Sequence, residues 1–255
     1  MIIDCHTHLG KNSHITARAT ALIESMEKAG IDKSLVFAGR LNSITNEEVL
    51  EEIAPYAGKL YGVAAYHRLD EQGLLCPKRD VEKLVSLYEE KKIVAVKFYT
   101  GYEHFYPEDV NWELSMLEEV GCPAIFHCGD CLNSVKHAKL KYAHPLGIDD
   151  VANEHPKMNF IIAHMGFPWV RDAAEVCYKN DNAYSDCSGF VYGKFTDQDC
   201  GKFYKTLKEF YDIAPSDKLL FGTDWPISDQ DSYLDNFNWI DRDSMALNAQ
   251  RVFKI

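Results

Sequence analysis

"MIIDCHTH" occupies residues 1–8, and the fold turns on how it is read. It is an apolar run that ends in two histidines, His6 and His8. Fully buried strands seldom carry polar groups, because an unpaired one loses its hydration without compensation. The HxH pattern alone proves little. With 10 histidines in 255 residues, chance supplies roughly 0.4 such pairs. Its meaning depends on what stands at the ends of the other apolar runs.

Seven further runs follow: "KSLVFAG" (33–39), "LYGVAAY" (60–66), "IVAVKFY" (93–99), "PAIFHCG" (123–129), "MNFIIAHMG" (158–166), "NAYSDCSG" (182–189) and "KLLFGTDWP" (218–226). All read as buried strands, the seventh of the eight being the weakest. Helical patterns lie between them. "ARATALIESMEKAG" stops at a glycine, and "DVEKLVSLYEEKK" opens on an Asp cap and closes on lysines, as a helix dipole favours. "VNWELSMLEEVG", "WVRDAAEVCYKN", "DCGKFYKTLKEFYDIA" and "DSMALNAQRVFKI" complete the set. No break in composition interrupts the alternation. It predicts an α/β fold with one domain over residues 1–255, a single (β/α)8 TIM barrel. An open doubly wound sheet is the rival, but no glycine-rich phosphate turn follows the first strand.

The bulk numbers exclude some partners. A net charge of −12 argues against nonspecific binding to nucleic acid or to an anionic membrane. No stretch reaches the length of a membrane span, and no basic leader precedes the first strand, so the expectation is a cytoplasmic protein. Eight irregularly spaced cysteines fit a reduced compartment better than a disulfide framework. Assembly into a homo-oligomer is left open.

In a barrel the C-terminal strand ends converge on one rim, where active sites lie. His6 and His8, two residues apart on the first strand, share a face. The fifth strand delivers His127, the sixth His164 and the eighth Asp224, while Lys97 stands late in the fourth. Imidazoles with a carboxylate suit one divalent ion, Zn2+ first among them. Lys97 has three readings: paired with a carboxylate, a substrate anchor, or a carboxylated bridging ligand. Each of the other residues also has a bland reading, as a hydrogen-bonded core histidine or, for Asp224, a turn cap.

With these motifs in order ("DCHTH", "IFHCG", "IIAHMG", "FGTDWP" and the closing "NAQRVFKI"), the chain resembles the amidohydrolase superfamily. Within it the likeness is to the amidohydrolase-2 group, which includes aminocarboxymuconate-semialdehyde decarboxylase, and it spans the whole chain. The resemblance implies that His6, His8, His127 and Asp224 hold one divalent ion. It implies that His164 orients or activates the metal-bound water or contacts substrate, and that Asp224 passes a proton to the leaving group. A second metal bridged by a carboxylated Lys97, as in some superfamily members, is the lesser expectation.

Substrate contacts are expected from loops after the strands. Tyr99, Tyr102 and His104 crowd the fourth loop, and Arg68 follows the third strand. Lys139 and Lys141 stand in the long fifth loop, "GDCLNSVKHAKLKYAHP". That loop has no obvious counterpart in the decarboxylases of the group. Basic residues in an acidic chain hint at an anionic small-molecule substrate. The leading expectation is therefore a metal-dependent hydrolase of an amide, lactone or ester. A nonoxidative decarboxylase on the same site and a noncatalytic metal-binding barrel are the alternatives.

Overall fold

A computed structural model describes residues 1–12, 16–69, 78–237 and 242–255. Eight parallel strands form one sheet in sequence order: β1 (Ile3–His8), β2 (Lys33–Phe37), β3 (Leu60–Tyr66), β4 (Ile93–Phe98), β5 (Ala124–Phe126), β6 (Phe160–Ile162), β7 (Ala183–Asp186) and β8 (Leu219–Leu220). The backbone after β8 returns to β1. Cys5 N donates to Phe221 O at 2.8 Å, Asp224 N to His6 O at 2.8 Å and His8 N to Trp225 O at 2.7 Å. These bonds close the sheet, so the fold is the (β/α)8 barrel expected from the sequence.

The helices that follow the strands are α1 (Ala19–Ala29), α2 (Asn46–Ile53), α3 (Lys78–Glu89), α4 (Asn111–Val120), α5 (Gly147–Glu154), α6 (Val170–Lys179) and α7 (Asp197–Tyr211). After β8 come α8 (Gln230–Asp235), a one-turn helix at Arg242–Met245 and α9 (Leu247–Phe253). The sequence reading passed over α2 and α5. The first begins with a capping box, in which the Thr45 side chain accepts from Glu48 N at 3.2 Å and the Glu48 carboxylate accepts from Thr45 N at 2.9 Å. Asp80, expected as the cap of α3, instead stands in its first turn.

Side chains of alternate parity separate two cores. Phe37, Ala95, Ile125 and Ile161 fill the barrel interior, while Val36, Val96, Phe126 and Ile162 pack outward against the helices. Two residues beyond Ala95 and Ile125, the same parity carries Lys97 and His127 to the interior mouth. The C-terminal helix packs Ala249, Val252 and Phe253 against the opposite end of that interior.

One strand breaks the alternation. Pairing of β1 with β2 runs Ile3↔Lys33 and Asp4↔Ser34, then Thr7↔Val36 and His8↔Phe37, so β1 carries one extra residue in between. Ile3 and Cys5 belong to the interior, as strict alternation requires, and the bulge then resets the parity. His6 turns inward and stacks on Phe37, ring centroids 4.2 Å apart.

Candidate active site

The mouth of the barrel holds a cavity lined by His6, His8, Lys97, His127, His164 and Asp224. Tyr99 and Tyr102 form part of its wall, with Asn42, Asp130 and Tyr192 also facing it. Three distant strand ends, those of β1, β5 and β8, thus meet at one place, together with Lys97 of β4 and His164 after β6.

Asp4, which the sequence reading passed over, fixes the two ends that matter most. Its carboxylate accepts from Thr223 N at 3.0 Å, Thr223 Oγ1 at 2.6 Å, Gln230 Nε2 at 2.8 Å and His6 N at 3.1 Å. Burial raises the Asp4 carboxyl to about 6 against the pull of these bonds. The contacts pin β1 to the segment bearing Asp224. A buried Asp two residues before an HxH pair is the signal that could have revealed it.

Acceptors that cannot donate settle where three imidazoles carry their protons. Asp186 Oδ2 lies 2.9 Å from His6 Nδ1, so that nitrogen bears hydrogen and Nε2 is bare. Burial first, with Lys97 nearby, lowers His6 to about 3, so the ring is neutral at pH 7. His164 Nδ1 lies 3.2 Å from the Ser188 carbonyl oxygen and 2.9 Å from Ser188 Oγ. Ser188 Oγ in turn donates to Asp186. His164 therefore also has a bare Nε2. His127 Nε2 donates to the Asp130 carbonyl oxygen at 3.0 Å, leaving Nδ1 bare, and burial pushes the ring well below its usual range.

Asp224 supplies the anionic partner. Its Oδ1 lies 3.0 Å from His8 Nε2 and 3.9 Å from His6 Nε2. That oxygen is buried and completes no hydrogen bond among the described residues. Burial would raise this carboxyl, but the close approach of His8, with His6 and His164 beyond, holds it well below the carboxylate range. Asn42 reaches His8 Nδ1 at 2.9 Å and can present either end of its amide there.

The donor set fits a divalent cation. One ligand atom each from His6, His8 and Asp224 falls within 4.8 Å of the others. Tetrahedral zinc with bonds of about 2.0–2.1 Å needs donors roughly 3.3 Å apart. A second cluster of His6, His164 and Asp186 is equally tight. Its carboxylate is already saturated, because Asp186 Oδ1 accepts from His164 N and Ser188 N at 3.0 Å each, besides Ser188 Oγ. His127 lies outside both clusters, its ring 5.1 Å from that of His164.

Strain and close approach mark the same place. His164 and Asp224 both have positive φ, 61° and 69°, unusual for residues with side chains. Gly189 has φ 71°, and a Cβ there would stand 2.7 Å from His164 Nδ1 and 3.2 Å from Asp224 Oδ2. Only glycine leaves room for both.

Other expected contacts lie elsewhere. Arg68, His104, Lys139 and Lys141 do not line the cavity. The Arg68 guanidinium lies 3.5 Å from Asp109 Oδ2, and His104 donates to the His137 carbonyl at 2.6 Å. Lys141 sits over the Tyr142 ring at 4.5 Å. The fifth loop is tied down by Leu132 N donating to Tyr102 Oη at 2.9 Å and Lys139 N to Gly101 O at 2.8 Å. It gives the cavity Asp130, Cys131 and Leu132 in place of its lysines.

Comparison with known proteins gives the family and agrees with the fold. The amidohydrolase family model (amidohydrolase-2) matches residues 3–254, and the chain belongs to that family. No curated protein matches the sequence. Among solved structures, the chain is similar to a probable 2-pyrone-4,6-dicarboxylic acid hydrolase from Acinetobacter baumannii with citric acid bound. The identity is 17%, the TM-score 0.71, and the match covers 100% of this chain and 99% of that one. An amidohydrolase from Burkholderia multivorans with bound zinc matches at 14% identity and TM-score 0.72, covering 100% and 99%. A dihydroxybenzoic acid decarboxylase from Polaromonas sp., with bound manganese and the inhibitor 2-nitroresorcinol, matches at 16% and 0.67, covering 99% and 96%. Among the described residues no helix is long and apolar enough to cross a membrane.

Proposed function

We propose that this amidohydrolase is a metal-dependent hydrolase of a small anionic amide, lactone or ester. The observation that carries the reading is the buried Asp224 Oδ1, which completes no hydrogen bond among the described residues and stands 3.0 Å from His8 Nε2 and 3.9 Å from the bare Nε2 of His6. His6, His8 and Asp224 would hold one divalent ion, zinc being the first candidate, with His127 as a further ligand. Such an ion acidifies water and polarises a substrate oxygen.

The chain's own residues supply the proton traffic. His164, with its bare Nε2 facing the cavity, can orient a water and take its proton. Asp224, held ionised, can accept a proton and hand it to the leaving group. Asp186 and Ser188 keep both rings in the tautomers these tasks need. Lys97 Nζ makes no hydrogen bond among the described residues, and its carboxylation to bridge a second ion is the lesser proposal.

Zinc-loaded protein should hydrolyse members of a panel of lactones, esters and amides bearing a carboxylate, with one oxygen from H218O entering each product. Release of CO2 without water incorporation would replace this reading with the decarboxylase one, which the Polaromonas likeness keeps in view. Protein that binds the ion and turns over nothing would leave a noncatalytic barrel, against the character of the family.

A further inference from the structure

Lys97 is fully buried on β4, and its Nζ has no hydrogen-bond partner among the described residues. Two aromatic faces stand near it, the Phe37 ring at 5.2 Å and the Tyr99 ring at 5.6 Å, while the Asp186 and Asp224 carboxylates act on it without a hydrogen bond. A buried ammonium with no hydrogen-bonded anion is costly, and a ligand carboxylate can supply that partner. The side chain lines the cavity at the barrel mouth.

The surroundings restrict what that ligand can be. Among the described residues that line the cavity, Lys97 is the one lysine or arginine, while Asp130 and Asp224 contribute negative charge. Beside the four histidines and Asn42, the wall carries an apolar and aromatic part made by Leu41, Tyr99, Tyr102, Leu132 and Ile227. The hydroxyl of Tyr99 is engaged with the Ala38 carbonyl at 2.9 Å and that of Tyr102 with Leu132 N, which leaves their rings to make contact.

We infer that Lys97 is the seat of a single substrate carboxylate, and that the preferred ligand is a small monocarboxylate whose apolar body lies among Tyr99, Tyr102, Leu41 and Leu132. The inference rests on the hydrolase reading and adds to it a position for the anion. The carboxylate is anchored and does not react, so the scissile group is turned toward Asp224 and His164. A second carboxylate on the ligand would have to lie near Asp130 and is disfavoured there.

The probes are benzoate, the uncharged benzamide and the dianion isophthalate, titrated into the metal-loaded protein by calorimetry. Benzoate should bind more tightly than either of the others. Its affinity should fall about 10- to 100-fold in Lys97→Met, the usual range for losing a charge-assisted hydrogen bond, with benzamide little changed. Equal benzoate affinity in wild type and variant, or an equal loss for benzamide, overturns the inference. Should the variant fail to fold, the wild type decides: with 15N-labelled lysine, a buried Nζ resonance must shift on adding benzoate and stay put with benzamide. A carbamate carbon signal appearing with 13C-bicarbonate also overturns it, because the amine is then consumed. These are binding readouts, so a protein that hydrolyses nothing can still pass them, and an active hydrolase can fail them.

Discussion

Asp186 Oδ2 stands 2.9 Å from His6 Nδ1, and this contact decides which nitrogen of His6 is free to bind an ion. The relationship gives an otherwise silent strand-end Asp a function without any contact to substrate. Burial would raise its carboxyl, but the bonds from His6 and its neighbours hold it well below the carboxylate range. It therefore accepts and never donates across the physiological range.

Asp186→Asn should weaken metal binding while the barrel stays folded. The amide can offer an N–H to His6 Nδ1, which drives the ring proton onto Nε2 and masks the ligand atom. Loss of such an outer partner costs about 10- to 100-fold in metal affinity. Competition with a chromophoric chelator measures it, and unchanged affinity removes Asp186 from the assembly of the site.

Asp224→Asn tests the proton route. The variant keeps the volume of the side chain and should fold, with circular dichroism unchanged. Turnover of any substrate found should fall by at least about 100-fold, the lower end for a positioned acid or base. Full activity would assign the proton transfers elsewhere.

Gly189→Ala should lower turnover without touching any ionisable group. The added Cβ would stand 2.7 Å from His164 Nδ1, so the ring must move or the loop must shift. Misplacement by about 1 Å can cost roughly 100-fold in rate. The positive φ adds destabilisation of about 1 kcal/mol, visible as a lower Tm. Wild-type kinetics in this variant would show that His164 has no required position.

The affinity of a carboxylate ligand should decline as pH rises through about 8. Burial lowers Lys97 from the usual lysine range to about 8, while Asp186, Asp224 and Cys128 pull the other way. His6 and His127 are held neutral by burial, and the measurement is made on metal-free protein so that no metal-bound water titrates beside Lys97. The sign follows directly, since the ammonium binds the anion and deprotonation removes it. For stability the sign is opposite. The unfolded chain holds that proton up to about 10.4, so the Lys97 contribution favours folding more as pH climbs from about 8 toward that value. A benzoate affinity flat from pH 7 to 9.5 would show that Lys97 does not govern the anion.

The barrel was readable because its strands are continuous apolar runs and its helices have a different period. His127, His164 and Asp224 were readable because each is a polar residue ending such a run. Asp186 gave no comparable signal, since it lies in the least strand-like segment. Asp4 and Gly189 were not, because their roles depend on partners roughly 220 and 25 residues away that only the closed barrel supplies. The inward turn of His6 needs a bulge that shows in pairing register and not in composition. The lysines of the fifth loop misled for a related reason. A loop's charge is visible in sequence, whereas the face it presents depends on backbone ties such as that of Leu132 to Tyr102.

His127 is the proposed ligand that one substitution tests most directly. It lines the cavity with a bare Nδ1, but it lies outside the tight group of His6, His8 and Asp224. Its tautomer is set by the Asp130 carbonyl, an acceptor that no side-chain substitution at Asp130 removes, so the ring is held ready whether or not an ion is present. His127→Ala should lower the metal content of the purified protein and raise the dissociation constant for zinc, with the melting curve of the metal-free protein nearly unmoved. If the ion needs only the three clustered residues, stoichiometry and affinity will match wild type, and His127 is then a wall of the cavity and no ligand. Because His127→Ala leaves His6, His8 and Asp224 in place, a loss of metal in this variant can be assigned to the His127 ring itself.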